Sequence, residues 1–318
     1  MTKEYLLKPE SSCRLDAFLR EELPRLLAGS EADVSNSKIR RLIIAGAVAA
    51  DGRQCRIPSW TLRAGNTVKV TVDEEKFFFE KQPDDVKFDV SAQSVLFEDE
   101  YIIVVNKPAF FPTEETIAGR RDNMHDAVVR WLWSENPSLR NPPYAGIMHR
   151  LDRETSGVLL FTKQRTVNTA VHDMFEQHTA RKIYRAVVLR ESCKTVRSEF
   201  YSDSFLGRIS AKSSAGKWGI VSESSGGLHA HTDFTLKGEG ITEGRNVMYI
   251  EARPFTGRTH QIRVHLSSLG MPILGDTLYS GVGAERMYLH ALSLSFPHPV
   301  SGEIVTVSAP LPPGFGRQ

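Results

Sequence analysis

The chain has few cysteines, no long apolar run and almost no net charge. Its three cysteines, Cys13, Cys55 and Cys193, are widely separated among 318 residues, and no Cys-x-x-Cys pair occurs. This pattern excludes a disulfide framework and a cysteine zinc site, and it is typical of reduced thiols inside a cell. The longest apolar stretches, such as residues 43–50, are much shorter than the ~18 residues of a membrane-spanning helix.

Three common catalytic motifs are also missing. The sequence contains no Gly-x-x-x-x-Gly-Lys-Ser/Thr loop, no Gly-x-Gly-x-x-Gly after a predicted strand and no Gly-x-Ser-x-Gly turn. These absences argue against nucleoside triphosphate hydrolysis, dinucleotide binding and α/β-hydrolase chemistry. The first residues have no pattern of a secretory signal, so we expect a cytoplasmic protein that has no membrane partner.

The composition that remains is ordinary for a folded chain, but its charge is unevenly distributed. Hydrophobic residues make up 41% and charged residues 25%, and the length predicts about two domains at ~150 residues each. Residues 1–72 carry a net charge of +4, residues 73–100 carry −7 and residues 101–318 carry +5. We therefore predict a domain over residues 1–75, an acidic linker over residues 76–90 and a second domain over residues 91–318.

The N-terminal region predicts a small module of helices and short strands. Apolar residues at i, i+3 and i+4 spacing mark one helix near residues 15–19 and a second near residues 39–43. The second helix carries three basic residues on its remaining faces: Lys38, Arg40 and Arg41. From chemistry alone, these cations form either a solvated helix face or contacts to phosphates.

The C-terminal region predicts many strands and few helices. Strand-like patterns occur at residues 158–161, 183–189 and 246–252, and helical patterns at residues 126–132 and 166–177. Because no regular β-α-β alternation occurs, we predict an α+β fold with a mixed, largely antiparallel sheet and flanking helices. The serine- and glycine-rich residues 212–227 are predicted to form a loop.

A polar turn that leads into a buried strand contains the first candidate site. Residues 149–157 read HRLDRETSG, and apolar residues follow at once. Asp152 lies between Arg150 and Arg153, and a nearby cation keeps a partly buried carboxylate ionised. On this evidence Asp152 is either a catalytic carboxylate or a structural residue of the turn.

Two further clusters carry cations beside polar or aromatic groups. Residues 258–265 read RTHQIRVH, in which Arg258 and Arg263 could bind phosphate or pair with a buried carboxylate. Residues 181–186 read RKIYRA, in which Tyr184 either stacks on a flipped base or is an interfacial tyrosine. The histidines have no spacing typical of metal ligands, so we expect no metal site.

In this order, the clusters resemble those of the RluA-type pseudouridine synthases. The resemblance covers about residues 95–310 and rests on HRLDRETSGVLLF, RKIYRAVV, TGRTHQIRVHLSSLG and YLHALSLSFPHP. The N-terminal region resembles the S4 RNA-binding module through CRLDAFL, SNSKIRRLIIAGAV and AGNTVKV. It departs from that module at Asn36, where a basic residue is usual.

The resemblance implies an isomerase that converts uridine within RNA to pseudouridine without a cofactor. It implies that Asp152 is the catalytic carboxylate, that Arg263 is its cationic partner, with Arg258 as the alternative, and that Tyr184 packs on the target uracil. The sequence does not show whether Asp152 adds to the sugar, adds to the base or removes a sugar proton. The residues expected to bind RNA are Arg150, Arg153, Arg258, Lys38, Arg40 and Arg41.

The resemblance leaves the RNA target open. An S4-like module favours large-subunit ribosomal RNA, with transfer RNA as the alternative. A non-catalytic RNA-binding or ribosome-assembly factor is a second possibility, which the intact Asp152 and the intact GRTHQIR run disfavour. No obligate protein partner is evident, and we expect a monomer.

Overall fold

The computed structural model describes residues 2–27, 34, 36–73, 85–114, 121–192, 197–210 and 216–316. Its contacts divide the chain into two compact units, Met1–Pro83 and Asp84–Gln318. Residues 76–84 of the predicted linker lie outside the described residues. In the part of the chain that the structure describes, no helix has the length and apolar character needed to cross a membrane.

The first unit combines two helices with short strands. Its elements are β1 (Thr2–Leu7), β2 (Cys13–Arg14), α1 (Leu15–Leu26), α2 (Asn36–Ile44), β3 (Val48–Ala50), β4 (Arg53–Cys55), β5 (Thr61–Leu62) and β6 (Val68–Asp73). Strands β1, β6, β3 and β4 form an antiparallel sheet in that order, and β2 pairs with β5. The apolar stripes of both helices and the alternating valines of β6 meet in one core. The residues that the hydrophobic periodicity of the sequence predicts to be buried are therefore the residues that form this core.

The second unit is built on one large sheet. Its elements are β7 (Val95–Glu98), β8 (Ile102–Lys107), α3 (Met124–Glu135), β9 (Gly146–Ile147), β10 (Ser156–Thr162), α4 (Asn168–Glu176), β11 (Arg181–Leu189), β12 (Glu199–Arg208), β13 (Trp218–Val221), β14 (Leu228–Thr242), β15 (Arg245–Pro254), α5 (Gln261–Ser268), β16 (Leu289–Pro297) and β17 (Ile304–Ser308). The strand order is β13-β12-β14-β15-β11-β16-β10-β8-β7, with β17 beside β16 and β9 beside β10.

Strand pairing in this sheet is antiparallel except at one central position. Strand β10 pairs with β8 in antiparallel register and with β16 in parallel register, Ser156 opposite His290. Among the described residues every other strand pair is antiparallel. The predicted α+β class, with a mixed and largely antiparallel sheet, is confirmed.

Strand β10 is buried on both faces, which explains its continuous apolar sequence. Leu159 and Phe161 pack with α3 on one face of the sheet, whereas Val158 and Leu160 pack with α4 on the other. Because successive side chains of a strand point to opposite faces, the two helices flank the sheet at β10. The buried strand therefore provides a rigid support for the polar turn that precedes it.

Two segments differ from the sequence predictions. Residues 212–215 of the predicted loop lie outside the described residues, and residues 218–221 form strand β13, which pairs with the end of β12, so the prediction of a loop is wrong for this strand. Residues 85–90 of the predicted linker belong to the second unit, where Asp85 contacts Arg121 and Arg153 and where Phe88 packs on Phe111 at 5.5 Å between ring centroids. The acidic residues of this segment therefore include Asp85, which forms ion pairs inside the second unit, as well as residues near the division between the two units.

Candidate active site

Hydrogen bonds from two side chains to the backbone hold the turn that carries Asp152. Thr113 Oγ1 donates to the carbonyl of Leu151 at 2.8 Å and accepts from its amide at 3.3 Å. The buried Lys107 donates through Nζ to three carbonyls, including that of Arg153 at 3.0 Å. Burial lowers the pKa of Lys107 to about 7. The turn is thus fixed from both sides of Asp152.

The turn joins β10 at Gly157, where the chain requires glycine. Its φ is +114°, and an ideal Cβ would lie 2.1 Å from the carbonyl oxygen of Ala291 on β16. No side chain fits at that distance, so glycine permits the two parallel strands to approach directly after the turn.

A shared arginine holds the carboxylate of Asp152. Arg263 on α5 donates from Nη1 to Asp152 Oδ2 at 2.9 Å. The same guanidinium donates from Nε and Nη2 to Asp276 at 2.7 and 2.9 Å, and it lies 5.1 Å from the ring centre of Tyr279. Arg263 is only 5% exposed, and its hydrogen bonds and the two carboxylate charges raise its pKa despite the burial. A permanent cation therefore lies beside Asp152.

Three residues of this arrangement were not predicted as site residues. Asp276 and Tyr279 contact Arg263, and His260 Nε2 lies 3.7 Å from Asp152 Oδ2. The spacing of the histidines predicted no metal site, and it did not indicate that His260, just before α5, lies beside Asp152. Asp276 stands in a polar segment next to Gly275, but nothing in the spacing of that segment indicated a contact with Arg263.

Strand β11 presents Tyr184 and Lys182 on the same side of the cavity. Burial and the charge of Asp152 raise the pKa of Tyr184 above its ordinary value, so its phenol keeps its proton. Lys182 Nζ donates to the carbonyl of Thr256 at 2.9 Å. Burial, with a smaller effect of Arg258, lowers the pKa of Lys182 to about 8.

These side chains line one cavity that opens to solvent. The lining includes Asp152, Lys182, Tyr184, His260, Arg263, Ile262, Leu289 and Pro254. A neighbouring cavity shares Arg150, Lys182, Tyr184, Gly257 and Arg258 with it. The predicted catalytic residues Asp152, Tyr184 and Arg263 therefore meet at one cavity, which places a carboxyl group, a phenol and several basic side chains around one space.

The predicted RNA-binding residues fall into different environments. Arg150 has 71% of its side chain exposed and pairs with Glu114 at 3.0 Å. Arg258 donates to the carbonyl of His229 at 3.0 Å and lines both cavities. Arg153 instead bonds Asp85 at 2.6 Å and Glu154 at 3.2 Å, so it holds Asp85 against the turn.

In the first unit, the three predicted cations of α2 also differ. Lys38 is buried and presents little surface to a phosphate, whereas Arg40 is exposed. The side chain of Arg41 lies outside the described residues. Across the described parts of both units, no group of three or more histidine, cysteine, aspartate or glutamate side chains is arranged to hold a metal ion.

Comparisons with known proteins match both the sequence and the fold. The family model for RNA pseudouridylate synthase matches residues 101–268. An uncharacterized RNA pseudouridine synthase of Synechocystis is 33% identical over 96% of this chain and 87% of its own. The ribosomal large subunit pseudouridine synthase D of Xanthomonas campestris is 32% identical, with 97% and 89% covered, and the corresponding synthase C of Escherichia coli is 30% identical, with 97% and 92% covered.

A solved structure shares the fold. The human RNA pseudouridylate synthase domain containing 1 superposes with a TM-score of 0.55 at 24% identity. The match covers 70% of this chain and 86% of the human one.

Proposed function

The chain belongs to the RNA pseudouridylate synthase family and is an isomerase, and we propose that Asp152 carries out its reaction on a uridine of large-subunit ribosomal RNA. The observation that supports this role is the hydrogen bond between Arg263 and Asp152 at the wall of a cavity that also contains Tyr184. The paired cation compensates the charge of the carboxylate, the form in which a nucleophile or a base acts.

In the reaction, the C1′–N1 bond of the target uridine breaks and a C5–C1′ bond forms. The hydrogen on C5 leaves as a proton and N1 gains one, so no oxidant and no hydrolysis is needed. The target must leave its base stack, which costs a few kcal/mol and favours a loop or bulge. Asp152 acts on the flipped nucleotide, and the ring of Tyr184 packs against its uracil.

The cations around the two cavities account for the binding of the strand on either side of the target. Arg150 is exposed and Arg258 lines both cavities, so each can reach a backbone phosphate. Lys182 adds a third cation at the boundary of the two cavities. These contacts position the RNA without reading its sequence.

The choice of ribosomal RNA rests on the relatives and on the first unit. Two of the relatives named above are ribosomal large subunit pseudouridine synthases, and this chain matches 89% and 92% of their length. We propose that residues 1–75 form an S4-like module that binds the backbone of the same RNA through Arg40 and Arg41. The protein then acts as a monomer in the cytoplasm, where ribosomal RNA is available.

The test is a map of pseudouridine in total RNA from cells with and without this gene. We expect one or more sites in large-subunit ribosomal RNA to be lost, then restored by the wild-type gene but not by Asp152→Asn. Asp173→Asn, a substitution of an exposed helix residue, is the matched control and should restore the sites. Loss confined to transfer RNA would overturn the proposed target, and restoration by Asp152→Asn would overturn the role of Asp152.

A further inference from the structure

His260 lies beside Asp152 in a conformation that is unusual for histidine. Its φ is +55°, in the left-handed region, and it directly precedes α5. A residue with a Cβ is disfavoured there and stays only where its surroundings fix it. The imidazole lines the same cavity as Asp152, with Nε2 3.7 Å from Oδ2.

The other nitrogen of this ring is held by Tyr279. The distance from His260 Nδ1 to the phenol oxygen is 2.8 Å. The backbone amide of Trp218 donates to that same oxygen at 2.9 Å. An amide N–H cannot accept, so the phenol oxygen accepts from Trp218, and Nδ1 is the acceptor available among the described residues for the phenol's own proton. A phenol that donates to Nδ1 requires that nitrogen to be unprotonated, with the proton of the neutral imidazole on Nε2.

Tyr279 also contacts the second neighbour of Asp152. Its ring lies 5.1 Å from the guanidinium carbon of Arg263, and its centroid is 5.5 Å from that of His260 in an edge-to-face arrangement. Ser267 donates to the carbonyl of Tyr279 at 2.9 Å, which fixes its backbone to α5. One tyrosine therefore orients both groups that face Asp152 Oδ2.

We propose that His260 presents its Nε2–H toward Asp152 Oδ2, and that Tyr279 is the positioning residue that selects this tautomer. Arg263 donates to Oδ2 at 2.9 Å, and His260 Nε2 lies 3.7 Å from the same oxygen, beyond hydrogen-bond distance, whereas Oδ1 has no hydrogen bond to any described residue. The hydrogen bond from Arg263 and the facing N–H of His260 both favour Oδ2 as the held oxygen, which leaves Oδ1 for the reacting atom. This inference rests on the proposed role of Asp152.

Burial is consistent with a neutral donor. It lowers the pKa of His260, and the charge of Arg263 acts in the same direction, although Asp152 opposes both. A neutral imidazole can donate from one nitrogen only, so its tautomer decides whether Asp152 faces a donor or an acceptor.

The tautomer is measured by nitrogen NMR on protein labelled at its histidine ring nitrogens, with the signals of His260 assigned from their loss in His260→Gln. We expect wild-type His260 to be the neutral Nε2–H form and Tyr279→Phe to give a mixture of tautomers. Tyr288→Phe removes another tyrosine hydroxyl, which donates to Glu243 at 2.9 Å, and should leave the signals unchanged. A wild-type Nδ1–H form, or an unchanged tautomer in Tyr279→Phe, would overturn the inference.

Activity provides a second measurement. His260→Phe removes the donor and should lower kcat about 100-fold with KM nearly unchanged, as for the loss of one preorganised donor. His260→Gln returns a side-chain N–H and should recover most of the activity. Wild-type kcat in a folded His260→Phe would overturn the inference. The NMR measurement does not depend on turnover. An inactive wild-type protein would therefore contradict the proposed function, whereas the tautomer of His260 would still be decided by the NMR signals.

Discussion

Arg263 donates a hydrogen bond to Asp152 across 2.9 Å, although the two residues are 111 positions apart in the chain. The same guanidinium binds both oxygens of Asp276, which is 2% exposed. A buried cation between two carboxylates pairs with both of them, and loss of the arginine would leave both without their cation. Arg263 therefore serves the stability of the fold as well as the position of the Asp152 carboxyl group, and substitutions at Asp152 and at Arg263 can separate these two roles.

Asp152→Asn should abolish the isomerisation and leave the fold intact. Arg263 keeps its two hydrogen bonds to Asp276 in this variant, so the buried cation remains paired. We expect RNA affinity within a few-fold of wild type and a melting temperature within a few degrees, because the changed group is at a cavity wall. Turnover of a defined RNA and binding by filter retention measure these effects. Substantial turnover in a pure preparation would contradict the catalytic role.

Arg263→Lys should reduce both activity and stability. A lysine ammonium cannot bind Asp276 through two parallel hydrogen bonds and reach Asp152 as well. We expect a loss of about 3 kcal/mol in the free energy of unfolding, as for a broken buried ion pair, together with a large loss of kcat. Arg130→Lys, at an exposed arginine paired with Asp89 and Asp122, is the control and should change stability little. Equal effects of the two substitutions on urea unfolding would refute the prediction.

RNA binding should depend on pH because the pKa of Lys182 is lowered. Its pKa is lowered to about 8, so the cavity loses one positive charge as the pH rises through that value. We expect KM for RNA to rise several-fold on the alkaline side. Lys182→Arg should remove this step because a guanidinium stays protonated. A KM that rises identically in Lys182→Arg would assign the step to another group.

Stability should respond to the same lysine in the opposite direction. The folded protein releases the proton near pH 8 and the unfolded chain near the ordinary value of 10.5, so between them the unfolded state binds more protons. The free energy of unfolding attributable to Lys182 therefore rises with pH across that window. Comparison of wild type and Lys182→Met in urea at several pH values measures the contribution.

Arg150 and Arg153 should behave differently although they are neighbours in the sequence. Arg150 is exposed, so Arg150→Ala should weaken RNA binding and reduce the slope of log affinity against log salt by about one unit. Arg153 bonds Asp85 and Glu154, so Arg153→Ala should chiefly lower the melting temperature. Similar salt slopes and similar stabilities for the two variants would contradict this division.

The arginines of α2 test the RNA-binding role of the first unit. Replacement of Arg40 and Arg41 together by alanine should weaken RNA binding and flatten its salt dependence, because each phosphate contact releases counterions. Arg25→Ala, at an exposed arginine of α1 that pairs with Glu22, is the matched control. Unchanged affinity and slope in the double variant would refute the proposal that this module binds RNA.

The local parts of this structure followed from the sequence. Continuous apolar residues at 158–161 are a buried strand, and the polar residues before them are a tight turn that presents Asp152. Such features depend on periodicity and turn chemistry, which a short window contains. The clusters around Asp152, Tyr184 and Arg263 are far apart in the chain, and only the resemblance to a family indicated that they form one site.

Features that depend on tertiary contacts were not predictable. The left-handed backbone of His260 is imposed by its partners, since the local sequence provides neither glycine nor asparagine there. Arg153 had the sequence context of an RNA contact, yet Asp85 from a segment predicted as linker binds it. Strand β13 forms in a serine- and glycine-rich segment because β12 offers it an unpaired edge. In these three places, contacts with residues elsewhere in the fold determine a conformation or a contact that the local sequence does not indicate.

The parallel pairing of β10 with β16 also sets the order in which the protein matures. Residues 156–157 cannot meet residues 290–291 until that later strand has been synthesised, and Asp276, which anchors Arg263, also comes late in the chain. Contacts so distant in sequence slow folding. A nascent chain that ends before these residues therefore carries Asp152 without the strand and the carboxylate that complete its surroundings.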